Sequence, residues 1–301
     1  MAPRITVVGG ANIDIAGIPA GRFVLRDSNP GHVRESPGGV GRNIAENLAR
    51  LGAEVRLVTS FGTDSAGDDL AADCERAGID TTYSIRAEGI PGSRYLAVLD
   101  DSGDLAAAVN DMRALDALTP DVLDPGAFSE ADVVVLDTNL HGSTLARAAE
   151  FADGIPIVLD PVSTAKAPLA LPILGRLAAI KANLREAEEI SGAAGAEGAA
   201  TRLLEAGVRA AFITMGAGGV LYAAPGVFET LSVRPVRVVN ATGAGDAFAA
   251  GVAWGIATGL GLGPAARFAA ALSRITLESE RTVSERVSLD LAESYTKEAD
   301  G

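Results

Sequence analysis

The chain has 301 residues, 48% hydrophobic and 21% charged, which suits one large α/β unit with a substantial core. Its formal charge of −14, without a basic run, argues against binding to nucleic acid or to an anionic membrane surface. A small anionic ligand stays open, because backbone dipoles at a helix start can hold one inside an acidic protein.

The first predicted strand, "RITVVGGANIDI", follows no apolar signal core, and the expectation is a cytoplasmic protein. Asn12 and Asp14 alternate with Ala11 and Ile13, so both face one side of an extended segment. Two short polar side chains there can clamp sugar hydroxyls; an ordinary polar strand end has the same pattern. "GGANIDIAG" does not fit GxGxxG, which argues against a dinucleotide-binding dehydrogenase. Residues 16–37 are polar and turn-rich, and residues 82–110 read as hairpin strands with turns at "PG" and "DDSGD". We expect the two segments to form a small β-sheet lid on a single unit spanning 1–301; two unrelated surface excursions are the alternative. Between them, "SPGGVGRNIAENLARLG" joins a glycine turn to an amphipathic helix. Gly38 and Gly39 would let a ligand approach the backbone, Asn43 would face the same mouth, and Asn47 and Arg50 are assigned to solvent or structure. Cys74 reads as a buried structural thiol. His32 and His141, without HExxH or CxxC, do not suggest a metal site.

The runs "EVRLVTSFG", "ADVVVLDTN", "IPIVLDP", "LAAIKAN" and "AAFITMG" alternate with helical patterns. That is the signature of a doubly wound, mainly parallel sheet flanked by helices, with ligands at the carboxyl ends of the strands. In "KANLREAEEISG", Asn183 and Glu186 fit a capping box; alternatively Glu186 orients magnesium-bound water. "FITMGAGGVLY" reads as strand, glycine turn, strand, with Thr214, Gly216 and Gly219 along a nucleotide groove. No GxxxxGK[ST] occurs, so a P-loop is excluded.

"VVNATGAGDAFAAG", residues 238–251, places Asp246 in a glycine turn between a β-branched run and an Ala/Gly-rich helix. One reading is a tight capping loop. The other is a phosphate cradle: Gly243, Ala244 and Gly245 present N–H groups at a helix N-terminus, and Asp246 faces the attacking hydroxyl. On that reading Asp246 is expected near the ordinary aspartate pKa of ~3.9, and so ionised. Residues 247–266 carry no charge, but "GLGLGP" interrupts them, so two buried helices joined by a turn are expected, not a membrane span.

Taken in order, "NID", "GGVGRNIAENLARLG", "NLREAEEISG" and "ATGAGDAFAAG" resemble the ribokinase (PfkB) family of sugar and nucleoside kinases over essentially the whole chain. The resemblance implies an ATP-dependent phosphotransferase with Asp246 as catalytic base and an anion hole at Gly243, Ala244 and Gly245. It implies sugar contacts from Asn12, Asp14, Gly39 and Asn43, and ATP and Mg2+ contacts from Asn183, Glu186, Thr214 and Gly216. It also implies a β-lid that pairs in a homodimer. Many family members carry an aspartate at the position of Asn240 that helps hold K+; the neutral residue leaves K+ activation open. "DSNPGHVRESPGGVGRNIAENL", "AVNDMRALDALTP", "DPVSTAKA" and "TLESERT" resemble the pseudouridine-kinase branch. That branch implies 5′-phosphorylation of pseudouridine, with Ser28, Asn29, Asn139, Thr164 and Lys166 as candidate base readers. The alternatives are another sugar or nucleoside kinase of the family (ribose, adenosine, inosine/guanosine or cytidine) and a non-catalytic ligand-binding protein on the same fold.

Overall fold

The computed structural model describes residues 1–299. The chain runs β1 (Arg4–Val8), β2 (Asn12–Pro19), β3 (Gly31–Gly38), α1 (Val40–Arg50), β4 (Glu54–Val58), β5 (Ser60–Gly62), α2 (Ser65–Arg76), β6 (Ile79–Asp80) and β7 (Ile85–Ala87). It continues through β8 (Arg94–Leu99), β9 (Leu105–Asp111), α3 (Arg113–Asp116), β10 (Val133–Asp137), α4 (Gly142–Phe151), β11 (Ile157–Asp160), β12 (Ala179–Asn183), α5 (Leu184–Ser191) and α6 (Ala196–Glu205). The last part holds β13 (Ala211–Thr214), β14 (Val220–Ala224), β15 (Val227–Leu231), α7 (Ala244–Ala257), α8 (Leu262–Leu277) and α9 (Leu289–Ala299).

Among the described residues, nine strands form one sheet in the order β15-β14-β13-β12-β11-β10-β1-β4-β6. From β6 to β13 the pairs are parallel, and β14 and β15 add an antiparallel edge. The apolar runs Val133–Asp137 and Ile157–Asp160 are buried along their whole length, because helices cover both faces. One core lies under α1, α7 and α8, the other under α4, α5 and α6. The uncharged stretch after Asp246 is α7 packed on α8. A Cβ on Gly251 would stand 2.5 Å from the Ala269 Cα, so small residues let the two backbones meet.

A second sheet has the order β3-β2-β8-β9. It begins at Asn12, ahead of the expected lid boundary at 16. Of the expected segment 82–110, Ile85–Ala87 pairs instead with Ser60–Gly62 as a separate two-stranded sheet. The strand register sorts this sheet's side chains by face. Asp14, Ser36, Tyr95 and Asn110 share one face, while Ile15, Glu35, Leu96 and Val109 share the other.

Candidate active site

The sheet's carboxyl edge gathers buried charge. Asp137 and Asp160 end the neighbouring strands β10 and β11 in direct register, and Lys181 lies on β12 next to them. The Lys181 Nζ donates to Asp160 Oδ2 at 3.0 Å, with both side chains almost wholly enclosed. Burial opposes the charge on Lys181. The carboxylates of Asp160, Glu186 and Asp246 outweigh it, and its pKa is raised. Asp137 accepts from the Gly10 and Asn139 backbone N–H groups, each at 2.8 Å. Burial nevertheless pushes its carboxyl up to about 6.

Over this edge sits the first turn of α7. Gly243 precedes it with φ 85°, in the left-handed region. A Cβ there would also fall 2.0 Å from the Thr282 carbonyl oxygen, so position 243 demands glycine on two counts. Gly243 supplies no capping side chain, and the leading N–H groups of a helix have no intrahelical acceptor. Lys181 approaches this turn closely: a Cβ on Gly245 would lie 2.7 Å from its Nζ. A helix start with an adjacent ammonium is suited to hold a phosphoryl group.

Asp246, in that same turn, accepts from the Asn43 Nδ2 at 2.8 Å across 203 positions of sequence. Its carboxyl does not keep the ordinary aspartate value expected from sequence. The dense surroundings, and after them the nearby Asp160 carboxylate, push it up to about 7, against the pull of Asn43 and Lys181. The expectation failed because only the fold buries Asp246 and brings beside it the carboxylates that end β11 and β10.

The other expected residues sort clearly. Asn12 Nδ2 donates to Asp14 Oδ1 at 2.6 Å, and burial raises the Asp14 pKa. The space beyond Gly38 is filled by the Asp14 carboxylate, and Gly39, at φ 97°, packs on the Gly10–Ala11 backbone. At both positions a side chain would collide with a neighbouring chain segment, so close packing of the chain itself demands glycine there. Asn139 Oδ1 accepts from the Lys166 Nζ at 2.7 Å, so these two candidates meet. Asn183 and Glu186 form the full capping box, and Thr214 is the register neighbour of Asn183. Gly216 and Gly219 flank the turn from β13 to β14 with φ 57° and 88°. Asn240 accepts from the Thr242 N–H and donates to the Glu280 carbonyl, tying down the loop before the turn.

Ser28 and Asn29 are not brought to Asp246. They lie in the exposed β2–β3 loop, at the far end of the hairpin from the paired Asn12 and Gly38. Seven residue steps along the strand separate the two ends, roughly 23 Å. Asn29 spends its amide on that loop, accepting from the Val24 N–H and donating to the Val24 and Asp27 carbonyls. Asn47, assigned to solvent or structure, is fully buried and donates to the Asn43 carbonyl. Sequence reasoning missed Asp137, Asp160 and Lys181. The signal was present as an aspartate closing each of two apolar runs, and as a lysine inside a third.

A model of the pfkB family carbohydrate kinases matches residues 2–287. The chain belongs to the PfkB family. It is 35% identical to the pseudouridine kinase of Escherichia coli K12, covering 92% of this chain and 91% of that one. A carbohydrate kinase from Agrobacterium tumefaciens superposes with a TM-score of 0.88 at 31% identity, over 98% and 97% of the two chains. A putative ribokinase II from E. coli, solved in complex with ATP and Mg2+, shares the fold with a TM-score of 0.87 at 17% identity, covering 98% and 99%. This PfkB kinase is accordingly an ATP-dependent phosphotransferase with an alcohol acceptor, built on a ribokinase-like fold.

Proposed function

We propose that the protein phosphorylates the 5′-hydroxyl of pseudouridine. The observation that carries the substrate is the 35% identity to the E. coli pseudouridine kinase over nearly the full length of both chains. The chemistry rests on the first turn of α7. Asp246 accepts the proton of the 5′-hydroxyl, whose oxygen forms the new bond to the γ-phosphorus as the bond to the bridging β,γ-oxygen breaks and ADP leaves. The N–H groups at Gly243, Ala244 and Gly245, with Lys181, take up charge on the transferring oxygens. Asn12, Asp14 and Asn43 hold the ribose, and Asn183, Thr214, Gly216 and Gly219 hold ATP.

Mg2+ fits as an ion delivered with the nucleotide. No cluster of three metal-ligating side chains occurs among the described residues, and hard cations bound to phosphates need few protein ligands. Glu186 would hold the ion through water, since burial raises its carboxyl pKa and a nearby cation relieves that penalty. The ion neutralises phosphate charge. Asn139 and Lys166 are the base-reading pair, on the strength of their contact. A cytoplasmic setting is part of the proposal, and a supply of ATP there supports it.

The test is a phosphorylation panel of pseudouridine, uridine, cytidine, adenosine, inosine, ribose and fructose 6-phosphate, with ATP and Mg2+. Pseudouridine is expected to be turned over best. A buried acceptor for its extra ring N–H would discriminate against uridine by about 1–3 kcal/mol. Efficient turnover of ribose or a purine nucleoside, with pseudouridine inert, would sink the substrate and leave the kinase.

A further inference from the structure

We infer that Arg42 is a positioning residue for phosphoryl transfer, fixing the Asn43 amide so that its NH2, and not its oxygen, meets Asp246. Arg42 is only 4% exposed. Its Nη1 donates to Asn43 Oδ1 at 3.0 Å, and the Asn43 Nδ2 donates in turn to Asp246 Oδ2 at 2.8 Å. An asparagine amide is nearly symmetric in shape, so the groups around it decide which end points where. Turned round, Asn43 would set its carbonyl oxygen against the Asp246 carboxylate. A guanidinium keeps its protons at every working pH and can only donate, so it holds the amide oxygen on its own side.

Arg42 is itself braced. Its Nη2 bonds Asp73 on α2 at 2.6 Å and also pairs with Glu46 one turn along α1. Each of those carboxylates has a second arginine, Arg76 for Asp73 and Arg50 for Glu46. Burial raises the pKa of Asp14, the proposed sugar ligand, and after the Asn12 hydrogen bond the same guanidinium offsets part of that rise. One buried cation therefore bonds Asn43 directly and acts on Asp14 through its charge. The rival account is that Arg42 only ties α1 to α2.

The inference rests on Asp246 being the base, and a double-mutant cycle separates the accounts. Arg42→Lys keeps a charge beside Glu46 and Asp73 but cannot bridge to Asn43 at the same time. It is expected to lower kcat about 10- to 100-fold. It should also move the acidic limb of kcat/KM to higher pH, because the Asn43 donor counteracts Asp160 and Asp137, which face Asp246 from β11 and β10. Lys181, facing it from β12, is unchanged. If Arg42 acts through Asn43, Arg42→Lys combined with Asn43→Ala should be no slower than Asn43→Ala alone. Should Arg42→Lys fold poorly, Arg42→Met leaves Asp73 paired with Arg76 and Glu46 paired with Arg50, and gives the same cycle. Wild-type kcat with an unmoved limb, or losses that multiply in the double variant, overturns the role of Arg42. An active Asp246→Asn enzyme instead removes the base assignment beneath it.

Discussion

Because the Asp246 carboxyl is pushed up to about 7, its ionisation falls within the working pH range. A base must be ionised to accept a proton, so kcat/KM should climb as pH rises through about 7 and level off above it. Asp246→Asn keeps the shape and removes the acceptor; kcat should fall about 10²- to 10⁴-fold, and a rate assay with saturating ATP and Mg2+ reads it directly. The same residue affects stability with a definite sign. Unfolded, this carboxyl ionises near ~3.9, whereas folded it holds its proton to about 7. Between those values the folded state binds the extra proton, so the wild type loses stability relative to Asp246→Asn as pH rises. Denaturant melts should show the variant gaining steadily from pH 4 to 7, then holding a constant lead of up to about 2 kcal/mol, after discount for solvent at the cleft. An equal lead at pH 4 and pH 8 would contradict the elevated carboxyl.

Elements place these residues, and they differ in how far the sequence announces them. Helix α5 begins with a capping box visible in "NLRE", yet the same Glu186 is proposed to act toward Mg2+. Glu186→Gln can keep the cap, since a glutamine oxygen still accepts the Asn183 N–H. We expect its apparent Mg2+ affinity to weaken about 10- to 100-fold, with turnover falling alongside. A magnesium titration that superposes on the wild type would reduce Glu186 to a helix cap. The alternation of apolar runs and amphipathic helices made the parallel sheet legible, because burial on both faces writes itself into composition. "TGAGDAF" was legible because a positive φ at Gly243 leaves little choice of residue. Lys181 was not, since a charge inside an apolar strand has meaning only once β11 sets Asp160 beside it. Long-range partners such as Asn43 and Asp246 leave no local pattern at all. Glycines 38 and 39 show a related limit: sequence says that the chain needs room there, and only the fold shows the Asp14 carboxylate and the Gly10–Ala11 backbone beside them.

At the scale of the molecule, the four-stranded sheet raises the question of what covers it. Its register puts Asp14 and Tyr95 on one face and Leu96, Val109 and Val33 on the other. The first face carries the proposed sugar clamp. On the second, Val33 and Val109 are 73% and 63% exposed in the single chain. Exposed apolar side chains on one sheet face, here beside the charged Glu35, mark an interface, and the strand edges invite pairing. We propose that a second copy covers it, so that each lid closes over its sugar with the other's support and excludes water during transfer. The chain mass is 30.5 kDa, and light scattering at working concentration should give twice that value. Val33→Asp with Val109→Asp should halve the observed mass, because paired carboxylates cannot be buried against each other without severe desolvation. ATP hydrolysis without acceptor should rise in that variant, as an unsupported lid admits water. A wild-type monomer would remove the paired lid while leaving the Asp246 chemistry intact, since every residue of the proposed base and anion hole belongs to one chain.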